Sequence, residues 1–358
     1  MPAYKEDNNT WTSRFYITDY KGVKIQKKKR GFTTKREALE FEREAIAKAE
    51  FNTEMTFQTL YDLYIDDIKP RIKEYSFHTK KHIVESKILP FFKDLKLEKI
   101  TPAVIRKWQN KMIQMVNPAT NKPYKPTYLK ALNNHLSAIM NYAVSFQNLK
   151  ENPCKKAGVI GKSNADEMRI WNTKEFNLFV SQLKHKPIDY VGFHVLFHCG
   201  LRIGELLALT VRDLDLTQKT ININKSYQRL KGKDLITPPK TEKSNRIIDL
   251  SDELTEMLKE YLNKIYDPTP NTRIFPTTAH RFQHDIKRYS EKIGLDPIRI
   301  HDLRHSHASF LINNNVNILA ISKRLGHEKI ETTLNIYSHL YSESHEYMIS
   351  VLNKKDGI

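Results

Sequence analysis

The chain reads as a multidomain α+β protein: a small amino-terminal β-sheet with one helix, a helical bundle, and a mixed, mostly helical domain carrying a β-hairpin region. Three observations carry this expectation. At 358 residues the chain is longer than one hydrophobic core usually serves. Its apolar pattern changes from short aromatic-rich runs before residue 50 to helical spacing between residues 55 and 160. The stretch Gly158 to Ala165 is short, polar and glycine-containing, which suits a linker. Domains are therefore expected at residues 1–52, 53–160 and 166–358.

In the first domain, Trp11, Phe15 and Ile17 mark one strand, and Asp19-Tyr20-Lys21-Gly22 reads as a turn. Val23 and Ile25 continue into a second strand that ends in Lys27-Lys28-Lys29-Arg30. Thr34 and Glu37 have the spacing of a capping box, which opens a helix from about Lys35 to Glu50. A lysine run is most often a solvated face. Here it lies on a short sheet beside aromatic rings, and such sheets can enter a DNA groove, so Lys24, Lys27, Lys28, Lys29 and Arg30 are candidate DNA contacts.

The second domain reads as helical throughout. Phe57, Leu60, Tyr61, Leu63 and Tyr64 recur at helical spacing, as do Ile83, Ile88 and Leu89. Thr101-Pro102 starts a further helix, with proline in its permitted first turn. Tyr128 to Tyr142 is another, with Leu129, Leu132, Leu136, Ile139 and Met140 on its inner face. These stripes are core. Lys69, Lys73, Lys80, Lys81, Lys107 and Lys111 decorate the bundle, and none stands out.

The third domain has helices flanking a hairpin region that contains Asp213 to Ile223 and Arg246 to Leu250. Gly200 ends a helix through Val195 and Leu196, and the next begins near Ile203, so Arg202 sits at a junction. His301 and Arg304, three apart, share a helical face, with Ala308, Phe310, Leu311 and Ile312 expected to bury that helix. Gly326 terminates a helix and puts His327 on the following turn. Tyr337 comes ten residues later on a helix opened near Glu331 and anchored by Leu334 and Ile336, with the tyrosine on a different face.

Bulk composition narrows the partners. The hydrophobic fraction of 39% supports globular folding, and the net charge of +18 points to a polyanion, of which nucleic acid is the commonest. The blander reading is a merely basic soluble protein. No long basic amphipathic helix favours a membrane surface, and no apolar run approaches the roughly 18 residues needed to span a bilayer. Met1 to Ser13 is polar and shows no secretory signal. Two cysteines, Cys154 and Cys199, are too few for a disulfide framework or a cysteine zinc site, so a cytoplasmic protein with reduced thiols is expected.

Two arginines, two histidines and a tyrosine are what a metal-free enzyme needs to attack a phosphodiester. Arginine offers a planar fork of donors matched to phosphate oxygens, histidine donates or exchanges a proton, and tyrosine can form a covalent ester. A metal site is the rival, because His301, Asp302, His305 and His307 fall within seven residues. No acidic cluster accompanies them to supply hard oxygen ligands.

The set Gly200-Leu201-Arg202-Ile203-Gly204-Glu205, His301-Asp302-Leu303-Arg304, Leu325-Gly326-His327 and Tyr337-Ser338-His339 resembles the tyrosine recombinases, the family of phage and mobile-element integrases. The resemblance implies an arm-binding first domain, a core-binding helical second domain and a catalytic third domain. It also implies that Tyr337 attacks DNA to leave a 3′-phosphotyrosyl link and a free 5′-hydroxyl. Arg202 and Arg304 would hold the scissile phosphate, and His327 would donate to it. His301 would either accept the tyrosine proton or bond the phosphate, and Glu205 would orient Arg202 or a neighbouring group. The family's general acid is a hairpin lysine, which Pro238-Pro239-Lys240-Thr241-Glu242-Lys243-Ser244-Asn245-Arg246 matches with Lys240 in the favoured place and Lys243 as rival. Tyr341, and less so Tyr347, are the alternative nucleophiles.

Because one phosphoester replaces another, no ATP, metal or other cofactor is called for. The implied partners are double-stranded attachment-site DNA, three further copies of the chain on that DNA, an excisionase and a host DNA-bending protein. The apolar set Tyr347, Met348, Ile349, Val351 and Leu352 is expected to pack on its own domain or on a neighbour. A type IB topoisomerase, a non-catalytic DNA-binding regulator and a metal-dependent nuclease are the competing readings.

Overall fold

A computed structural model describes residues 3–18, 24–50, 55–163, 169–239, 244–337 and 349. The chain divides into two compact units, Met1–Asp166 and Glu167–Ile358. The turn expected at Asp19 to Gly22 and the segment from Ser338 onward, Ile349 apart, lie outside the described residues.

The first unit opens with an antiparallel sheet in the order β1 (Ala3–Lys5), β2 (Trp11–Thr18), β3 (Lys24–Phe32), followed by helix α1 (Lys35–Glu50). Strand β1 was not expected, since three residues are too few to show an alternation. Phe15 is buried and meets Phe41 of α1 edge-on at 6.2 Å, and Phe32 meets the same ring at 5.3 Å. Where β2 and β3 slip register between Trp11 and Ser13, Gly31 takes a φ of +89° that a side chain would oppose. The cap differs in detail from the reciprocal form. Glu37 N–H donates to Thr34 Oγ1 at 3.2 Å, while the Glu37 carboxylate accepts from the N–H and hydroxyl of Thr33.

The helices that follow are α2 (Phe57–Ile68), α3 (Glu74–Ile83), α4 (Leu89–Phe92), α5 (Pro102–Gln114), α6 (Pro126–Phe146) and α7 (Pro153–Ala157), with a two-residue ladder of β4 (Val116–Asn117) and β5 (Lys122–Pro123) before α6. Phe57, Leu60, Tyr61 and Tyr64 are buried as their spacing predicts, whereas Leu63 falls on the outer face and is exposed. Thr101 caps α5 ahead of Pro102, and the five inner residues expected on α6 are all buried. Between α3 and α4 one turn widens to a π-helix at Val84–Ile88, next to Pro90, which has no N–H to give. The carbonyl of Lys87 is taken up there by the indole N–H of buried Trp108 at 3.1 Å. The expected linker is partly structure: Ile160 is buried in the bundle, and Gln109 donates to the carbonyl of Gly158 at 2.8 Å.

The second unit holds α8 (Thr173–Ser181), α9 (Pro187–Cys199), α10 (Ile203–Ala208), β6 (Leu214–Asp215), β7 (Thr220–Ile223), β8 (Ser226–Leu230), β9 (Lys233–Thr237), β10 (Arg246–Asp249), α11 (Asp252–Leu262), α12 (Ala279–Lys292), α13 (Ile300–Asn313), α14 (Ile318–Leu325) and α15 (Ile330–Tyr337). The hairpin region is a sheet in the order β10-β7-β6 plus a separate β8-β9 hairpin. Helix α9 is apolar around most of its circumference, which suits a central position. Its Gly192 lets Phe282 of α12 approach so closely that a Cβ would lie 2.5 Å from the ring. A smaller cluster of Ala308, Ile312, Ile321, Leu325 and Tyr337 joins α13, α14 and α15. On α13, Phe310 is exposed where burial was expected, because Ala308 and Ile312 take the inward positions.

Candidate active site

The site is built around two left-handed glycines. Gly200 ends α9 with a φ of +64°, and a Cβ there would lie 2.6 Å from the His307 ring and 2.9 Å from Leu325. The reversal lets Arg202 cap α10. Glu205, one turn on, accepts the backbone N–H of Arg202 at 2.9 Å and its guanidinium at 2.8 Å, so a single carboxylate fixes both ends of that residue. The Arg202 side chain remains 40% exposed and so stays open to a ligand. Gly326 ends α14 with a φ of +69°, and His327 follows with its ring Nδ1 2.8 Å from Thr333 Oγ1 of α15.

Arg304 joins these two turns. It is 2% exposed, and its terminal nitrogens donate to the carbonyl of Gly200 at 2.9 Å and of Leu325 at 2.6 Å. Those carbonyls stand two residues before Arg202 and two before His327. A guanidinium has five N–H donors, so three remain for a ligand after these bonds. Burial, with the charges of Arg202 and Arg246, presses the Arg304 pKa down to about 9, which still leaves it a cation at neutral pH.

Glu205 also accepts two bonds from Arg246, at 2.8 and 3.2 Å. Arg246 Nε in turn donates to the carbonyl of Arg324 at 2.8 Å, so this buried arginine ties the start of β10 to α10 and to the turn that carries His327. Burial by itself would raise the Glu205 pKa. The hydrogen bonds and charge of Arg246 and the charge of Arg202 outweigh that and bring it down to about 2.

The histidines are held neutral. Burial and then the charges of Arg304 and Arg202 lower His327 to about 4, and desolvation of the ring by its neighbours, followed by the same two charges, lowers His301. His301 is exposed at the start of α13, and its ring meets that of His305 edge-on at 5.0 Å. His305 Nδ1 lies 2.6 Å from Tyr337 Oη. Burial raises the Tyr337 pKa well above the ordinary tyrosine value, with Arg304 opposing it.

Arg202, Glu205, His301, Arg304 and His327 are thus close enough to set one another's ionisation, and Tyr337 adjoins them through Arg304 and His305. Of the two residues expected to anchor α15, Leu334 does not do so, and the side chain of Ile336 lies outside the described residues. Leu334 is 39% exposed, whereas Tyr337 is 2% exposed in the small core. The hydroxyl tolerates that position because His305 satisfies it. Lys240 and its rival Lys243 lie outside the described residues. An open groove of about 1520 Å³ runs beside the site, lined in part by Arg246, Lys323, Arg324, His327 and Lys329.

Lys24, Lys27, Lys28, Lys29 and Arg30 are all exposed on β3, but the pleat divides them. Lys27 and Lys29 pair with Phe15 and Ser13 on the face toward α1, where the Lys29 ammonium stands 4.5 Å from the Phe41 ring centre. Lys28 pairs with Arg14 on the opposite face, beside exposed Tyr16. Arg30 is 3.8 Å from Glu6.

Sequence reasoning missed Arg246, Thr333 and the contact of His305. Arg246 closes the lysine-containing stretch from Pro238, and an arginine at the start of an expected strand was the only signal the sequence offered. His305 is four residues from His301 on one helix face and was weighed only as a metal ligand. In the structure its Nδ1 is engaged by Tyr337, and His307 Nε2 accepts from Arg324 at 3.2 Å.

Comparison with known proteins bears on the same residues. Residues 172–344 match the family described as the phage integrase family. Residues 56–113 match the phage integrase N-terminal SAM-like domain, and residues 2–49 an arm DNA-binding domain. The chain is 29% identical over 344 residues to the ICEBs1 integrase of Bacillus subtilis (strain 168), covering 90% of each. Its fold is similar to that of the Tn1549 transposon integrase solved with circular intermediate DNA, with a TM-score of 0.69 and 20% identity over 83% of this chain and 99% of that one. It is also similar to the lambda integrase in a tetramer bound to a Holliday junction, with a TM-score of 0.59 and 17% identity over 92% of this chain and 96% of that one.

Proposed function

The chain belongs to the phage integrase family, the tyrosine recombinases, and from that premise we propose that Tyr337 is its nucleophile and that Arg202, Arg304, His301 and His327 hold the scissile phosphate. As a site-specific recombinase of this family it cuts and rejoins DNA strands, and the family works through a phosphotyrosine intermediate. The observation that carries the residue assignment is Arg304, whose guanidinium bonds the two turns bearing Arg202 and His327. Three groups that are distant in sequence thereby meet at one place. Cations preorganised around a phosphate stabilise the charge that develops as the five-coordinate transition state forms.

Each remaining residue has one task. Arg202, fixed by Glu205, forks two non-bridging oxygens with Arg304. His327 accepts the Thr333 hydroxyl at Nδ1, which leaves the proton on Nε2 for a phosphate oxygen. His301, exposed beside Arg304, bonds the same phosphate. Lys240 protonates the departing 5′-oxygen, whose poor leaving ability demands a proton.

The proposed substrate is double-stranded attachment-site DNA of a mobile element or prophage, with residues 53–160 on the core sequence and residues 1–52 on separate arm sites. Four copies assemble on two paired duplexes, one active site per exchanged strand. One chain holding two separated sites requires the intervening DNA to bend, at a cost of several kcal/mol, so a host DNA-bending protein and an excisionase are proposed as further partners. The reaction takes place in the cytoplasm, where the two buried cysteines stay reduced.

The test is a nicked suicide duplex carrying the attachment core from DNA flanking the gene, incubated with the full chain in chelator and without ATP. A detergent-stable protein–DNA adduct on the 3′ side of the cut is expected. Cleavage abolished by the chelator, or leaving no adduct, would reject the reading.

A further inference from the structure

We propose that His305 is a catalytic residue of the strand-transfer reaction and takes the phenolic proton of Tyr337 on its Nδ1. The inference rests on Tyr337 being the nucleophile and goes beyond that reading by naming its proton acceptor.

Geometry carries it. Nδ1 and Oη are 2.6 Å apart, a strong contact for a neutral pair, and both side chains are buried, at 7% and 2% exposure. A phenol in such surroundings gives up its proton reluctantly, since burial raises its pKa. A base already in hydrogen-bond contact is then required. His301 is exposed on the preceding turn of the same face, and its ring meets His305, 5.0 Å away between centroids. The two imidazoles therefore serve two ends of one reaction, His301 the phosphate and His305 the attacking oxygen.

The groups around His305 keep it able to accept. Burial, His301, Arg304 and Arg299 lower its pKa and Asp302 opposes them, with a balance of about 4. From α15 it faces the Tyr337 hydroxyl. The ring is neutral at pH 7, with its Nδ1 lone pair toward the hydroxyl and the proton on Nε2.

The step balances without a redox partner. As Oη bonds to phosphorus and the bond from phosphorus to the 5′-oxygen breaks, the phenolic proton passes to Nδ1 and makes an imidazolium. The 5′-oxygen leaves with a proton from the general acid. In rejoining, a 5′-hydroxyl attacks phosphorus and returns its proton to the deprotonated general acid, the bond to Oη breaks, and the phenolate recovers its proton from His305. Nothing is consumed.

The experiment measures adduct formation by the full chain on the suicide duplex from about pH 5.5 to 9.5, in wild type and in His305→Asn. Asparagine keeps an acceptor near the Nδ1 position but cannot take the proton. Wild type should be nearly flat between about pH 6 and 8. His305→Asn should be slowed by about 100-fold or more at neutral pH, the scale of a lost general base. Its rate should rise with pH, and replacing Tyr337 by a trifluorinated tyrosine of lower phenol pKa should restore most of the loss.

A variant as fast as wild type, or faster, would mean that the bond merely parks the hydroxyl, and would overturn the proposal. So would a slowed variant with an unchanged pH profile and no rescue. Nitrogen-15 NMR of the free wild-type protein gives a check that needs no variant to fold: an unprotonated Nδ1 on His305 is expected, and a proton there would be contrary. An adduct surviving in Tyr337→Phe would overturn the nucleophile assignment along with this one, whereas an unchanged profile in His305→Asn overturns this inference alone.

Discussion

Glu205 takes two guanidinium groups on one buried carboxylate, so the roles of Arg202 and Arg246 separate by what each leaves behind. Removing Arg246 leaves the buried carboxylate with Arg202 alone, and Arg246→Ala should lower stability by about 1.5–3 kcal/mol in denaturant unfolding. Arg202 is partly exposed, so Arg202→Lys should leave stability nearly unchanged. It should still lose roughly 100-fold in adduct formation, because an ammonium cannot fork two oxygens. The Glu205 pKa is depressed from 4.5 to about 2, so its stabilising contribution is complete above pH 4.5 and disappears as pH falls toward 2. Unfolding curves of wild type and Glu205→Gln should converge across that acid window, and a constant gap would show that Glu205 acts by shape alone. For Lys240, a substrate with sulfur at the 5′-leaving position is the sharper probe. A thiolate leaves without a proton, so Lys240→Ala should regain activity on it, and recovery of Lys243→Ala instead would move the general acid.

At the scale of elements, the glycine-ended helices set where the charged groups point. Gly294 also has a positive φ, at +71°, but a Cβ there would meet nothing within 4 Å. Gly294→Ala should therefore cost only the left-handed strain, about 1–2 kcal/mol. Gly200→Ala adds a clash with His307 and Leu325 and should cost a further ~1–3 kcal/mol. Equal melting temperatures for the two variants would contradict the close packing under Arg304. The helices were legible because their signal is local: Thr101-Pro102 and the inner face of α6 need only spacing. What spacing hides is which face wins. Phe310 and Leu334 are as apolar as their buried neighbours, and only the positions of α13 and α14 decide that Ala308 and Tyr337 go inward. Strand β1 was illegible because three residues have no period. The pairing of His305 with Tyr337 spans 32 residues and two helices, which no local pattern encodes.

For the whole molecule, the family was readable in the sequence, since the motifs that carry the resemblance are each contiguous. Their convergence was not, because it depends on Arg304 reaching carbonyls from two distant turns. Deleting residues 1–52 should leave core cleavage intact and abolish recombination that depends on arm sites. An isolated 1–52 fragment should bind its arm duplex with an affinity that falls steeply as salt rises. Lys28→Ala and Arg14→Ala, on the face of the sheet away from α1, should weaken that binding more than Lys29→Ala, whose ammonium lies over Phe41. Fluorescence anisotropy of the three variants distinguishes the faces. Truncation at residue 343 should preserve binding to a single site and weaken the tetramer on paired sites. Sedimentation with and without DNA tests this, and a stable tetramer in the absence of DNA would count against assembly on the substrate.

The central claim is that Tyr337 attacks the phosphate that Arg202, Arg304, His301 and His327 hold. Proteolysis of the trapped adduct, nuclease trimming of its DNA and mass spectrometry of the modified peptide test it most directly. The expected result is a 3′-nucleotide on Tyr337, and no adduct from Tyr337→Phe despite unchanged DNA affinity. A nucleotide on Tyr341 or Tyr347, or an adduct that persists in Tyr337→Phe, would contradict it.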